Sequence, residues 1–138
     1  MRSNNPILLL EDDIVDAMTV KRALKEIGVQ NEVVHVENGE EALDYLRDKQ
    51  NVKPAIILLD LNMPVMNGLE FLQERLKSEE LMVIPVIVLT TSRDDYDKSS
   101  SFKLSISGYM VKPVDYSQFI NVIRTIDSYW TFSENLEG

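Results

Sequence analysis

The sequence predicts an α/β fold in three layers, a five-stranded parallel sheet in the order 2-1-3-4-5 flanked by five helices. Three observations carry that expectation. Short, mostly continuous apolar runs alternate with longer amphipathic stretches, and the hydrophobic period switches between strand and helix spacing along the whole chain. The polar residues that interrupt the pattern fall just after the apolar runs.

The first run, Ile7 to Leu10, is apolar at every position, as a strand covered by helices on both faces must be. A helix follows, with Ala17, Val20, Leu24 and Ile27 at helical spacing and Gly28 where a helix C-cap belongs. The second strand is Val33 to Val36, and its His35 reads as an edge or core residue. Glu40 and Glu41 open the second helix, where negative charge suits the helix dipole, and Leu43 and Leu46 mark its inner face. The third strand spans Ala55 to Leu59. Leu69, Leu72 and Leu76 mark the third helix, with Gly68 relaxing the turn into it. Val86 to Leu89 is the fourth strand. The fourth helical stretch, about Asp94 to Leu104, carries Ser99, Ser100 and Ser101, weak helix formers, so it is expected to be the least rigid. Tyr109 to Val111 is the fifth strand, and Phe119, Val122, Ile123, Ile126 and Trp130 stripe the last helix. Residues 1–138 read as one domain with an extended last helix and a short, loosely held tail, TFSENLEG.

Composition narrows the function. The 138 residues are 44% hydrophobic, enough for a core. Fourteen Lys and Arg against twenty-three Asp and Glu leave a net charge of −9, which disfavours binding to DNA or to an anionic membrane. With no cysteine and one histidine, disulfides, thiol nucleophiles and two-histidine zinc sites are excluded. The longest apolar runs are about five or six residues, against the roughly twenty that span a bilayer. The opening MRSNNP lacks a signal peptide's apolar stretch, so a cytoplasmic location is expected.

Glu11, Asp12 and Asp13 follow strand one, Asp60 ends strand three, Thr90 ends strand four and Lys112 follows strand five. Parallel strands put these positions on one side of the sheet, and the 2-1-3-4-5 order makes strands one and three neighbours. Crowded carboxylates call for a hard cation, which selects Mg2+ or Mn2+. On this reading Asp60 is a nucleophile that accepts a phosphoryl group. Asp12 and Asp60 bind the metal directly, Glu11 binds it through water and the Asn62 carbonyl is a further ligand. Thr90 and Lys112 hold phosphoryl oxygens.

The segments ILLLEDD, LLDLNMPVMNGLEFL, IPVIVLTTS and SGYMVKP resemble, in order and spacing, the motifs of response-regulator receiver domains of the chemotaxis-regulator type, over roughly residues 6 to 127. The resemblance implies a flavodoxin-like receiver fold and phosphoryl transfer from a sensor histidine kinase to Asp60. It implies a switch in which Thr90 moves toward the phosphoryl group and Tyr109 turns inward, remodelling the face formed by the fourth helix, fifth strand and fifth helix. It also implies a cis bond between Lys112 and Pro113. Glu11 is longer than the Asp often found at its position. Asn62 and Ser92, two residues beyond Asp60 and Thr90, are expected to flank an attacking water and set the lifetime of the phosphorylated state.

The stretch IDSYWTFSENLEG resembles stand-alone regulators that partner phytochrome-type kinases and pair through the fourth-helix to fifth-helix face. A homodimer would form there or through Tyr129, Trp130 and Phe132, which could equally cap the core. About 25 residues follow Pro113, room for one helix and a tail, so no DNA-binding module is expected and output passes through protein contacts or onward phosphotransfer.

Two other functions stay open at this stage: a magnesium-dependent phosphatase or phosphotransferase, which would need a second acid where Asn62 stands, and a receiver-like module that binds partners without phosphorylation. Blander roles stand beside the sharp ones. Glu11 to Asp13 could be a capping loop, Asp60 a turn acid, Lys112 a surface charge, Thr90 a strand former and Tyr109 a boundary aromatic.

Overall fold

The computed structural model describes residues 4–132. The apolar runs become five strands, β1 (Ile7–Leu10), β2 (Val33–Val36), β3 (Ile56–Leu59), β4 (Val86–Thr90) and β5 (Gly108–Val111). All neighbours pair in parallel, in the order β2-β1-β3-β4-β5. Strand residues alternate between two cores. Ile7, Leu9, Ile56, Leu58, Ile87 and Leu89 face one side; Leu8, Leu10, Ile57, Leu59, Val86 and Val88 face the other. The central strands are therefore apolar throughout because each face is covered by helices.

On the first face lie α1 (Ile14–Glu26) and α6 (Tyr116–Phe132). On the second lie α2 (Gly39–Arg47), α3 (Gly68–Arg75), α4 (Glu79–Met82) and α5 (Asp95–Lys103). Side-chain caps fix where they start: Asp13 accepts the Asp16 N–H, Asn38 the Glu41 N–H, and Asn67 forms a capping box with Glu70. Gly28 follows α1 at φ 88°, the left-handed turn that glycine adopts without strain.

Among the described residues there are six helices rather than the expected five. The additional α4 is a single turn of four residues, capped by Ser78, that drives Leu81 into the core. One turn is too short to leave a hydrophobic period in the sequence. Of the stripe read through Leu69, Leu72 and Leu76, Leu72 is buried and Leu69 packs partly buried against the core. Gly68, Phe71 and Arg75 are buried beside Leu72. Arg75 is 1% exposed, and its guanidinium donates to the carbonyls of Met82, Ile84, Leu104 and Ser105, joining the ends of α4 and α5. Dipoles that would otherwise be orphaned draw a charged residue inward where the pattern called for leucine.

The Lys112–Pro113 bond is trans, as is every peptide bond among the described residues, so the expected cis form is not adopted. Trans is the intrinsically favoured form of an X–Pro bond. Trp130 is buried in the core under α6, while Tyr129 is exposed. The side chain of Phe132 and the tail beyond it lie outside the described residues. Along α5, Ser101 is the one buried residue, and its hydroxyl donates to the Asp97 carbonyl at 2.7 Å.

Gly68 serves close approach rather than turn freedom. A Cβ there would stand 2.7 Å from the Leu61 Cα and 2.9 Å from the Asp60 carbonyl oxygen, both backbone atoms that cannot step aside cheaply. Gly68→Ala should cost about 1–3 kcal/mol of stability. Gly39→Ala should cost less, because its nearest neighbours are flexible side-chain atoms of Met66. Urea denaturation of both variants checks the order.

Candidate functional site

The backbone ladder runs one residue past the strands and carries the polar side chains to a common edge. Glu11 N–H donates to the Val36 carbonyl at 3.0 Å, Asp60 N–H to Leu10 at 3.0 Å and Lys112 N–H to Thr90 at 2.8 Å. Each of these residues is therefore held by the sheet itself.

Their side chains converge. Glu11, Asp12 and Asp60 each offer a carboxylate oxygen within 4.8 Å of the others. Lys112, its side chain 8% exposed, forms an ion pair with Glu11, meets Asp16 Oδ2 at 3.2 Å and stands 4.0 Å from Asp60 Oδ2. Asp60 is buried, and its Oδ1 has no hydrogen-bond partner. An orphaned, buried carboxylate oxygen beside two more carboxylates fits a hard divalent cation, which prefers oxygen donors. Asp13, by contrast, turns its side chain to the N-terminus of α1 as a cap.

Burial sets the charge states. It is the largest influence on Glu11 and, with the neighbouring Asp60 charge, pushes that carboxyl up to about 7 against the pull of Lys112. For Lys112 burial pulls the other way, but the hydrogen bond it donates to Glu11 and the charges of Asp60, Glu11 and Asp16 outweigh it and raise its pKa.

Thr90 ends β4 fully buried, and its hydroxyl accepts the Ser92 N–H at 3.3 Å. The Ser92 carbonyl in turn accepts the Tyr109 hydroxyl at 3.0 Å, and the Ser92 hydroxyl donates to Asp97 at 2.8 Å. Tyr109 is half-buried, so its ring is tied to the loop that follows Thr90. Asn62 lies exposed two residues beyond Asp60.

Two participants escaped the sequence reading. Asp16 lies in the first turn of α1, just after the Glu11 to Asp13 acidic run, and that closeness was the available signal. His35 places Nε2 2.6 Å from the Glu11 carbonyl, across 24 residues of chain, with no local signal to announce it. A cavity of about 360 Å³ adjoins the site and shares Asp16 and Lys112 with it. A larger one, about 400 Å³, lies around Tyr45, Lys53 and Ser78 and contains none of the converging residues.

Comparison with known proteins agrees with this geometry. The family described as the response regulator receiver domain matches residues 7–124. The probable methanogenesis regulatory protein FilR2 of Methanothrix harundinacea is 35% identical, over 90% of this chain and 82% of its own length. Response regulator Rcp1 of Synechocystis is 34% identical, over 93% of this chain and 91% of its own. The crystal structure of the Mn2+-bound form of Rcp1 superposes with a TM-score of 0.84 at 32% identity, covering 93% of this chain and 95% of that one. The phosphorylated cyanobacterial phytochrome response regulator RcpA superposes with a TM-score of 0.87 at 35% identity, covering 95% of this chain and 97% of that one. No helix among the described residues is long and apolar enough to cross a membrane.

A cation entering the carboxylate cluster displaces the proton that Glu11 carries below about pH 7. Binding should therefore tighten as pH rises through 7 and weaken below it, by at most about tenfold per pH unit for a single displaced proton. Titration of Mg2+ into the protein between pH 5.5 and 8.5 measures the slope; an affinity that does not change across that range would contradict the assignment.

Proposed function

Because the chain belongs to the response regulator receiver domain family, we propose that it accepts a phosphoryl group on Asp60 from a sensor histidine kinase and signals through an altered protein surface. The observation that carries this is the Asp60 carboxylate: buried, with an unpartnered oxygen, and 4.0 Å from a lysine already held by other acids. An Asp60 oxygen attacks phosphorus, the P–N bond of the donor phosphohistidine breaks, and the imidazole leaves neutral after protonation at its other nitrogen. Glu11 through water, Asp12, Asp60 and the Asn62 carbonyl would hold Mg2+ or Mn2+, which when bound neutralises charge on the phosphoryl oxygens. Lys112 turns from Asp16 and Glu11 toward those oxygens. The Thr90 hydroxyl accepts from Ser92, so its own O–H remains to donate to them.

The same bonds supply the switch. If Thr90 is drawn to the phosphoryl group, the Ser92 N–H loses its acceptor while the Ser92 carbonyl still carries Tyr109. Movement at the site then reaches β5 and the face it shares with α5 and α6, where Tyr96 and Phe102 of α5 are exposed. That face, or the aromatic end of α6, is the proposed surface for downstream partners or a second copy. Asn62 and Ser92 are proposed to set how long the phosphoryl group survives. The whole chain acts as one receiver domain that works through protein contacts, without binding DNA or membrane. The likeness to RcpA supports a phytochrome-type kinase as partner. A phosphatase reading is weaker, because Asn62 offers no carboxylate to serve as a second acid.

Acetyl phosphate with Mg2+ should add one phosphoryl group, seen by intact mass, to the wild type and none to Asp60→Asn. Equal labelling of both would overturn the assignment. Tyr109→Phe removes the hydroxyl that bonds Ser92 and leaves the acceptor untouched. It should be labelled at the wild-type rate yet lose part of the phosphorylation-dependent shift in α5 and β5 amide resonances.

A further inference from the structure

His35 is the one histidine of the chain, half-buried on the edge strand β2. Its Nε2 lies 2.6 Å from the Glu11 carbonyl oxygen. A carbonyl only accepts, so Nε2 carries the hydrogen and donates. The contact completes a set. Glu11 N–H donates to Val36, one carboxylate oxygen accepts the Asp13 N–H at 3.2 Å, the other takes Lys112, and the carbonyl takes His35. Every polar group of this 2% exposed residue is thereby satisfied.

The carbonyl is the informative one. The Glu11 carbonyl and the Asp12 N–H belong to a single planar peptide unit, so a bond that fixes the direction of one fixes the other. That plane joins the two acids that enter the cluster from β1, Glu11 and Asp12. Val36 holds the near side of Glu11 and His35 the far side, and without the imidazole the peptide could rotate and carry both carboxylates with it.

We propose that His35 is a positioning residue for the divalent cation site: it orients the Glu11–Asp12 peptide so that both carboxylates meet Asp60. The inference rests on the reading of that cluster as the cation site of a phosphoacceptor, but it concerns a residue that neither touches the metal nor reacts.

Calorimetric titration of Mg2+ and of Mn2+ into folded protein tests it, with urea denaturation in chelator recording stability separately. His35→Leu keeps an apolar filling and loses the donor, and it should weaken both cations on the order of tenfold, the scale typical of partners that orient metal ligands. His35→Gln retains a donor that reaches the carbonyl and should restore most of the affinity. His35→Asn, too short to reach, should not. If His35→Leu fails to fold, the Gln and Asn variants decide between themselves. Wild-type affinity in His35→Leu, or equal weakening in His35→Gln and His35→Asn, would overturn the proposal. Asp12→Asn keeps the two readings apart. A wild type that binds no cation sinks the cation site itself, whereas binding lost in Asp12→Asn but intact in His35→Leu sinks only the role of His35.

Discussion

One buried ammonium makes the carboxylate edge tolerable. Two like charges 4 Å apart near a protein surface repel by about 4 kcal/mol at an effective dielectric constant of 20. Here Glu11, Asp16 and Asp60 all face Lys112, with Asp12 beside them. Lys112 offsets part of that repulsion, and the Glu11 carboxyl is still raised, by burial first and by the Asp60 charge after it. An edge with more carboxylates than ammonium groups suits a hard cation. The fold sustains the imbalance because the sheet ladder, rather than side-chain contacts alone, holds Glu11, Asp60 and Lys112 in place.

The second buried cation solves a different problem. Arg75 is held by four carbonyl oxygens drawn from the ends of α4 and α5, with its pKa lowered by burial. Its charge meets dipoles that helix termini leave without partners. Lys112 meets the side chains of acids, Glu11, Asp16 and Asp60, which can move or change partners. Arg75 is suited to permanence because its partners are backbone and have nowhere to go.

Communication away from the edge is economical. Ser92 links Thr90 to Tyr109 outside the strand ladder, through its N–H on one side and its carbonyl on the other, and its hydroxyl reaches Asp97 on α5. Its N–H and its carbonyl belong to successive peptide units joined at the Ser92 Cα, so one residue meets partners on both sides of the loop. The Glu11–Asp12 peptide, by contrast, is a single planar unit, and its carbonyl accepts from His35.

The sequence by itself determined the strands, their burial on both faces and the identity of the residues at the reactive edge. Those features follow from the chemistry of consecutive residues: Ile7 to Leu10 must lie in a covered sheet, and polar residues at the ends of parallel strands must share a side. It also held most of α1, α2 and α6, whose apolar periods are long enough to read. Tertiary structure decided whatever depended on partners distant in the chain. Arg75 turns inward for carbonyls up to 30 residues away, Gly68 is small because the backbone of Asp60 and Leu61, just after β3, passes against it, and His35 meets Glu11 across 24 residues. Asp16 joins Lys112 across 96 residues. A hydrogen bond or a close approach between such residues leaves no period or spacing in either local segment, so it exists only once the sheet has brought the segments together.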